Sequence, residues 1–239
     1  MTKRRPRQQS LPFRARGGKR AGAGRPPKGE KAGVSHDRRA PVASRFPVHV
    51  TLRMEKGLPS LRSQATLRVL REVFVAAKDR LGMRLVHFSI QSNHIHLLVE
   101  ANGRNVVSRA MQGLSVRIAR RLNRLWERAG RVFADRYHDH VLKTPTEVRN
   151  ALSYVLNNAR KHGRRLKKLL DPFASGRWFD GWKEGVPTRN EGEPPVAKAG
   201  TWLLGLGWKR ARRPISAREV PKPQGARAPA RHPRHRTHP

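Results

Sequence analysis

His94 and His96 are separated by a single isoleucine at the start of an aliphatic run, residues 95–99. Such a run reads as a buried strand. Side chains alternate faces along a strand, so the two imidazoles share one face while Ile95 points into the core. Two imidazoles on one face make half of a divalent-metal site. Two solvated histidines on a half-exposed strand have the same spacing, so the pair needs a third ligand and a reactant. Tyr154 and Asn158 supply candidates, four residues apart in a helical stretch and therefore on one face. A positioned phenol can attack phosphorus as a covalent nucleophile when a metal polarises the phosphate. The amide oxygen of Asn158 can complete a hard-cation site. Tyr137, the other of the 2 tyrosines, precedes a second H-x-H at His138 and His140 and stands as the alternative nucleophile.

The elements that must hold these groups are legible in the apolar periods. Residues 47–53 alternate as a half-buried strand. Leu67, Leu70, Val73, Phe74, Ala77 and Leu81 recur every three or four residues, which predicts an amphipathic helix over 64–81 with Gly82 as its C-cap. Residues 84–90 and 95–100 predict a hairpin around 91–93. A second helix is predicted over 106–128, with Val107, Met111, Leu114, Ile118 and Leu122 on one stripe. Its other face carries Arg109, Arg117, Arg120, Arg121 and Arg124 with Glu127 alone to balance them, which favours phosphate contacts over a solvated face. Residues 132–142 read as a fourth strand. Thr144 to Glu147 starts a third helix that runs to about 162, where Gly163 ends it. The order β-α-β-β-α-β-α predicts an α+β, ferredoxin-like fold: a split β-α-β antiparallel sheet with helices on one face, plus a C-terminal helix bearing Tyr154. The opposite sheet face is left to hold a site.

The net charge of +37 far exceeds what solubility requires and points to a polyanion partner, because neutralising phosphates releases counterions. Residues 1–45 carry fourteen Lys and Arg against Glu30 and Asp37 and show no apolar period, so they are expected to be a disordered basic tail. Within them, Gly24-Arg25-Pro26-Pro27-Lys28-Gly29 has the form of an AT-hook, whose Arg25 could enter a narrow minor groove; a generic basic tail has the same composition. Residues 46–170 hold most of the apolar side chains and are expected to be the catalytic domain. An aromatic extension and linker follow over 171–208, its aromatic stretch expected to pack on the domain rather than stack on bases, and a short apolar island over 201–208 able to dock back. A second disordered basic tail is expected over 209–239. The chain has no cysteine, which excludes disulfides and thiolate metal sites and fits a reducing interior. No apolar run approaches a membrane span, so the expectation is a cytoplasmic, nucleoid-associated protein without a membrane partner.

Taken in chain order, three motifs resemble those of the single-tyrosine HUH-endonuclease transposases, in particular the REP-associated tyrosine transposases. They are His94-Ile95-His96, the stretch from Gly130 to Leu142 that contains Arg136-Tyr137-His138-Asp139-His140, and Tyr154-Val155-Leu156-Asn157-Asn158. The resemblance covers about residues 46–170. It implies that His94 and His96 bind Mg²⁺ or Mn²⁺, with Asn158 completing the metal site. It implies that Tyr154 attacks the scissile phosphate of single-stranded DNA, leaving a 5′-phosphotyrosyl link and a free 3′-OH. DNA with hairpin or repeat ends is the implied partner, and a monomer or homodimer the implied working unit. Two positions depart from the family pattern: Gln91-Ser92-Asn93 stands where Met-Pro-Asn is frequent, and Asn158-Ala159 where Asn-Pro is frequent. Both bear on loop geometry rather than on the ligands. The reading is a metal-dependent transposase or nickase of single-stranded DNA. The alternative is a domesticated, catalytically inactive DNA- or RNA-binding protein of the same fold.

Overall fold

The period-2 and period-3.6 stretches of the sequence become a five-stranded antiparallel sheet with helices packed on it. The computed structural model describes residues 39, 41–80, 82–186, 192–211 and 213–221. The AT-hook-like motif with Arg25 lies outside the described residues, as does nearly all of the expected N-terminal tail. Five strands, β1 (Val48–Arg53), β2 (Asp79–Arg80), β3 (Met83–Ile90), β4 (His94–Ala101) and β5 (His138–Val141), pair in the order β2-β3-β4-β1-β5. Leaving aside the two-residue β2, that is the ferredoxin-like order, with β1 and β4 central. Helices α1 (Gln64–Ala77) and α2 (Arg104–Leu125) cover one face. α3 (Pro145–Leu156), α4 (Asn158–Lys161) and α5 (Trp202–Gly205) follow β5 in the chain. The fold class is α+β as the element order predicts.

One alternation decides what each face does. Val48, Val50 and Leu52 of β1 and Ile95, Leu97 and Val99 of β4 point into the larger core with α1 and α2, where Leu70, Phe74, Met111, Ile118 and Leu122 meet them. The intervening residues, His49 and Thr51 on β1 and His94, His96 and Leu98 on β4, face the other way. On that second face a smaller core forms between Leu98, Val86 and the α3 residues Val148, Leu152 and Val155. A register shift in β3 between Leu85 and His87 lets Leu85 and Phe88, an odd number of residues apart, enter the same core.

Local chemistry fixes the ends of the helices. The Thr66 N–H donates to the Ser63 hydroxyl at 3.1 Å and caps α1. At α3 the Glu147 N–H donates to Thr144 Oγ1 at 3.2 Å, while Glu147 Oε2 accepts from the Thr144 N–H, a reciprocal capping box with Pro145 at the first turn.

The structure corrects the predicted boundaries in three places. The first helix stops at Ala77 rather than 81, because Asp79 and Arg80 pair with Arg84 and Met83 as β2, and Gly82 (φ 74°) turns that hairpin instead of capping a helix. The fourth strand covers only His138–Val141. Val132 and Tyr137 both enter the larger core although five residues apart, which a regular strand with period 2 cannot do. The third helix breaks at Asn157 (φ −108°, ψ 17°) and restarts as α4.

A fourth correction is larger. Residues 213–219, expected as part of a disordered basic tail, pack against α3, where the aromatic stretch and the apolar island over 201–208 dock as expected. Phe179, Trp182, Leu203, Leu204, Trp208, Ile215 and Ala217 are buried in the second core. The aromatic extension packs as expected, with Ser89 bridged to Ala174 and the Ile90 N–H donating to Phe173 O at 2.8 Å, so the edge of β3 is covered. Arg62 holds Asp171 with two hydrogen bonds of 2.8 and 2.9 Å and anchors this return. Farther on, Arg149 in α3 donates to Arg213 O, Pro214 O and both carboxylate oxygens of Glu219. The Asn157 side-chain amide donates to Ser216 O at 3.0 Å and the Arg160 Nε–H to Ala217 O at 3.0 Å, so side chains at the break between α3 and α4 are tied to the C-terminal segment. Basic composition hid this segment, since its few apolar residues carry no period.

The Arg149–Glu219 pair yields a stability prediction. Burial alone raises the Glu219 carboxyl, but the hydrogen bond and charge of Arg149 outweigh it and hold the group below 4.5. A depressed folded value stabilises the fold above the unfolded pKa, and that contribution is lost as pH falls from 4.5 through the folded value. Glu219→Ala leaves a buried guanidinium short of its carboxylate and is expected to cost roughly 3 kcal/mol. Denaturant unfolding at neutral pH checks this, and an unchanged midpoint would show that the segment does not brace α3.

Candidate active site

His94 opens β4 and His96 follows two residues on, both aimed at the sheet face that α3 crosses. Their rings lie 4.7 Å apart between centroids. The Tyr154 ring of α3 meets His96 edge-on at 5.1 Å and His49 at 5.7 Å. The structure therefore brings together three of the four residues that the sequence singles out for chemistry. Asn158, the fourth, sits at the start of α4 with its side chain fully buried. The break at Asn157 means that it shares no continuous helix with Tyr154, so its place comes from the fold and not from helical spacing.

Each imidazole has a defined proton arrangement. His94 Nδ1 lies 2.8 Å from Asn93 Oδ1, an acceptor, so His94 donates there and keeps its Nε2 lone pair free. His96 Nδ1 faces two groups of β1, Thr51 Oγ1 at 3.0 Å and His49 Nε2 at 3.2 Å. Its Nε2 is buried and has no hydrogen-bond partner. Burial first, then the charges of His162, Arg53 and Lys161, lowers His94 to about 4. Burial and the neighbouring His49 and His94 push His96 well below the ordinary imidazole value. Both rings are neutral at physiological pH, the form that binds a metal ion.

The donor set fits a divalent cation. Among the described residues no three His, Cys, Asp or Glu side chains converge on a metal position. A cation held here would rest on the imidazoles of His94 and His96, whose rings are adjacent. His96 Nε2, Asn158 Oδ1 and Asn158 Nδ2 are all buried without a partner. Folded proteins rarely leave such atoms unpaired, each costing about 1–3 kcal/mol. A ligand beside the His94 ring satisfies the His96 nitrogen.

The surroundings contain groups that sequence reading passed over. His49 and Thr51 stand on β1 opposite Leu98 and His96, and their H-x-T spacing on an alternating strand was the available signal. Lys161 of α4 donates to Tyr154 Oη at 3.3 Å and lies 4.3 Å over the ring. The His162 ring is 5.8 Å from that of His94. Neither Lys161 nor His162 announces itself, because a broken helix places them.

Other predicted residues lie elsewhere. Tyr137 is buried in the larger core, with its hydroxyl 3.2 Å from Ser108 Oγ and its ring under the Arg39 guanidinium at 3.8 Å. His138 and His140 sit on exposed β5 opposite Thr51 and His49. Arg109, Arg117, Arg120, Arg121 and Arg124 are exposed along α2, around a shallow depression of ≈ 630 Å³ that also includes Gln112 and Val116. Since α2 packs on the opposite sheet face, they are not part of the histidine–tyrosine cluster. Glu72 of α1 pairs with Arg121, so α2 is less unbalanced than its own sequence suggests.

Three comparisons bear on this arrangement. Residues 43–158 match the family described as "Transposase IS200 like". The fold is similar to a solved structure of "the REP associates tyrosine transposase bound to a REP hairpin", with 14% identity and a TM-score of 0.50, covering 70% of this chain and 99% of that one. A candidate transposase from Deinococcus radiodurans R1 aligns with 16% identity and a TM-score of 0.35, over 47% of this chain and 86% of that one. No curated protein matches the chain. Among the described residues no helix is long and apolar enough to cross a membrane.

The buried histidines predict an acid-sensitive fold. Burial lowers His49 to about 4, with a smaller contribution from His140, and lowers His87 to about 3, each from 6.5. A lowered folded value stabilises above the unfolded pKa, and the contribution fades as pH falls below 6.5 toward those values. Unfolding free energy measured by denaturant is expected to drop across that window, and less steeply in His87→Gln. A flat profile would mean that these imidazoles are solvated.

Proposed function

We propose, from the match of residues 43–158 to the IS200-like transposase family, that the chain cuts and rejoins single-stranded DNA through Tyr154 with a divalent metal. The observation that carries this reading is the meeting of the Tyr154 ring with His96 beside His94, with His96 Nε2 buried and without a partner. His94 Nε2 and His96 Nε2 would hold Mg²⁺ or Mn²⁺, with the Asn158 amide oxygen as the proposed third donor. When bound, the metal supplies charge neutralisation at the non-bridging phosphate oxygens.

The chain's own residues do the rest. α3, capped at Thr144 and braced by Arg149, fixes the Tyr154 phenol over the strand face. The phenol oxygen attacks phosphorus, the bond to the 3′ oxygen breaks, and the DNA 5′ side stays on Tyr154 until a 3′-OH reverses the step. Asn93 and the β1 pair His49 and Thr51 hold the two imidazoles in the orientation that keeps their Nε2 lone pairs free.

DNA is the proposed partner, carrying hairpin or repeat ends of the kind named for the similar solved structure. The exposed arginines of α2 offer a phosphate-binding surface on the side of the sheet away from Tyr154. In this reading the DNA engages two surfaces: structured flanking DNA on α2 and a single strand at the tyrosine. Substituting alanine at Arg117 and Arg124 is expected to weaken binding across sequences. The slope of log affinity against log salt is expected to flatten by about 0.7–0.9 for each phosphate left unneutralised. Unaltered salt slopes would remove α2 from the interface.

The deciding experiment incubates the protein with labelled single-stranded DNA flanked by repeat hairpins, in Mn²⁺ or in EDTA, followed by a denaturing protein gel. A metal-dependent covalent band absent from Tyr154→Phe is the expected result. Tight, salt-sensitive binding with no covalent band under any condition would instead support the non-cutting, DNA- or RNA-binding reading.

A further inference from the structure

Lys161 is placed against the oxygen that the proposed reaction uses. Its ammonium donates to Tyr154 Oη at 3.3 Å and also sits over the phenol ring, 4.3 Å from the centroid. The contact spans the break at Asn157: the two residues are seven apart, on two separate helices. Two anchors hold α4 where this can occur, Arg160 to Ala217 O and to Leu169 O. Lys161 is also close enough to both imidazoles to depress them electrostatically.

The charge balance around this ammonium is one-sided. Arg53 acts on His94, while Arg164 acts on the neighbouring His162 together with Lys161 itself. Among the described residues no carboxylate pairs with Lys161. An ammonium that is hydrogen-bonded to a neutral phenol and has no anion beside it is electrostatically incomplete. Two anions can complete it, and a tyrosine-mediated transesterification produces both at this spot: the phenol oxygen as it loses its proton, and the phosphodiester.

Resting on the reading above, we propose that Lys161 is a catalytic residue whose ammonium holds the Tyr154 oxygen during attack and again when that oxygen leaves. In the forward step the phenol O–H bond breaks, the bond from Tyr154 Oη to phosphorus forms and the bond from phosphorus to the 3′ oxygen breaks. The phenol proton ends on the 3′ oxygen. In the reverse step a DNA 3′-OH supplies the proton that returns to the departing phenol. The ammonium keeps its charge throughout and acts by electrostatic stabilisation, which is worth most where the charge develops. A lysine suits the task because its compact point charge can stay on the oxygen while the geometry at phosphorus changes.

The test compares Lys161→Met, which keeps the aliphatic stem over the ring, with Lys161→Arg and Tyr154→Phe, in full-length protein. Lys161→Met is expected to slow both covalent capture and rejoining by about 100-fold. Hairpin-DNA affinity is expected to change far less, and Lys161→Arg to recover most of the rate. In the DNA-free protein, the carbon-13 resonance of the Tyr154 Cζ, assigned against Tyr154→Phe, is expected to move in Lys161→Met. Should that variant misfold, Lys161→Gln gives the same comparison. Wild-type rates in a folded Lys161→Met protein would overturn the role of Lys161 while leaving the tyrosine mechanism standing. Absence of any adduct in the unsubstituted protein would overturn both, so the two failures are distinguishable.

Discussion

The pairing of β1 with β4 is the constraint on which the rest of the molecule depends. These two central strands put Val48, Val50, Leu52, Ile95, Leu97 and Val99 on one side, and His49, Thr51, His94 and His96 on the other. Burying the aliphatic side under α1 and α2 is what keeps the register, because a one-residue slip of either strand would turn its three aliphatic side chains out of that core and polar ones into it. The hydrophobic effect therefore aims the imidazoles, although no imidazole takes part in that core.

The second face needs its own support, since a helix laid over polar side chains gains little from them. α3 gains it at the far end of the face, where Val148, Leu152 and Val155 meet Leu98 and the aromatic cluster of Phe179, Trp182 and Trp208. The C-terminal segment is thus part of what positions Tyr154. Arg149 makes the dependence sharper: it is almost fully buried, and its partners are carbonyls and a carboxylate from residues 213–219. A buried guanidinium without those acceptors would be costly, so α3 and the segment hold each other.

Neutral imidazoles, a phenol and an ammonium meet on this face. Desolvation keeps the imidazoles unprotonated, which suits them to a cation and removes positive charge that would compete with it. The arginines of α2 stand apart from this cluster on the opposite face. Proteins that act on nucleic acid commonly separate the contacts that position the backbone from those that do chemistry, and this layout permits such a separation.

Sequence alone determined the α+β ferredoxin-like order, the apolar stripes of α1 and α2, and the shared face of His94 and His96. Those features follow from periods of two and 3.6 residues, which are local properties of the chain. Tyr154 as a candidate was also legible, from its type and its place in a predicted helix. Tertiary structure alone decided the break at Asn157, the contact of Lys161 with Tyr154, the support of His96 by His49 and Thr51, and the folding of the segment around residues 213–219 onto α3. The physical reason is the same in each case. These arrangements join groups that are far apart in sequence or fall on either side of an irregular turn, and their energy lies in single hydrogen bonds to distant partners, which leave no period to read.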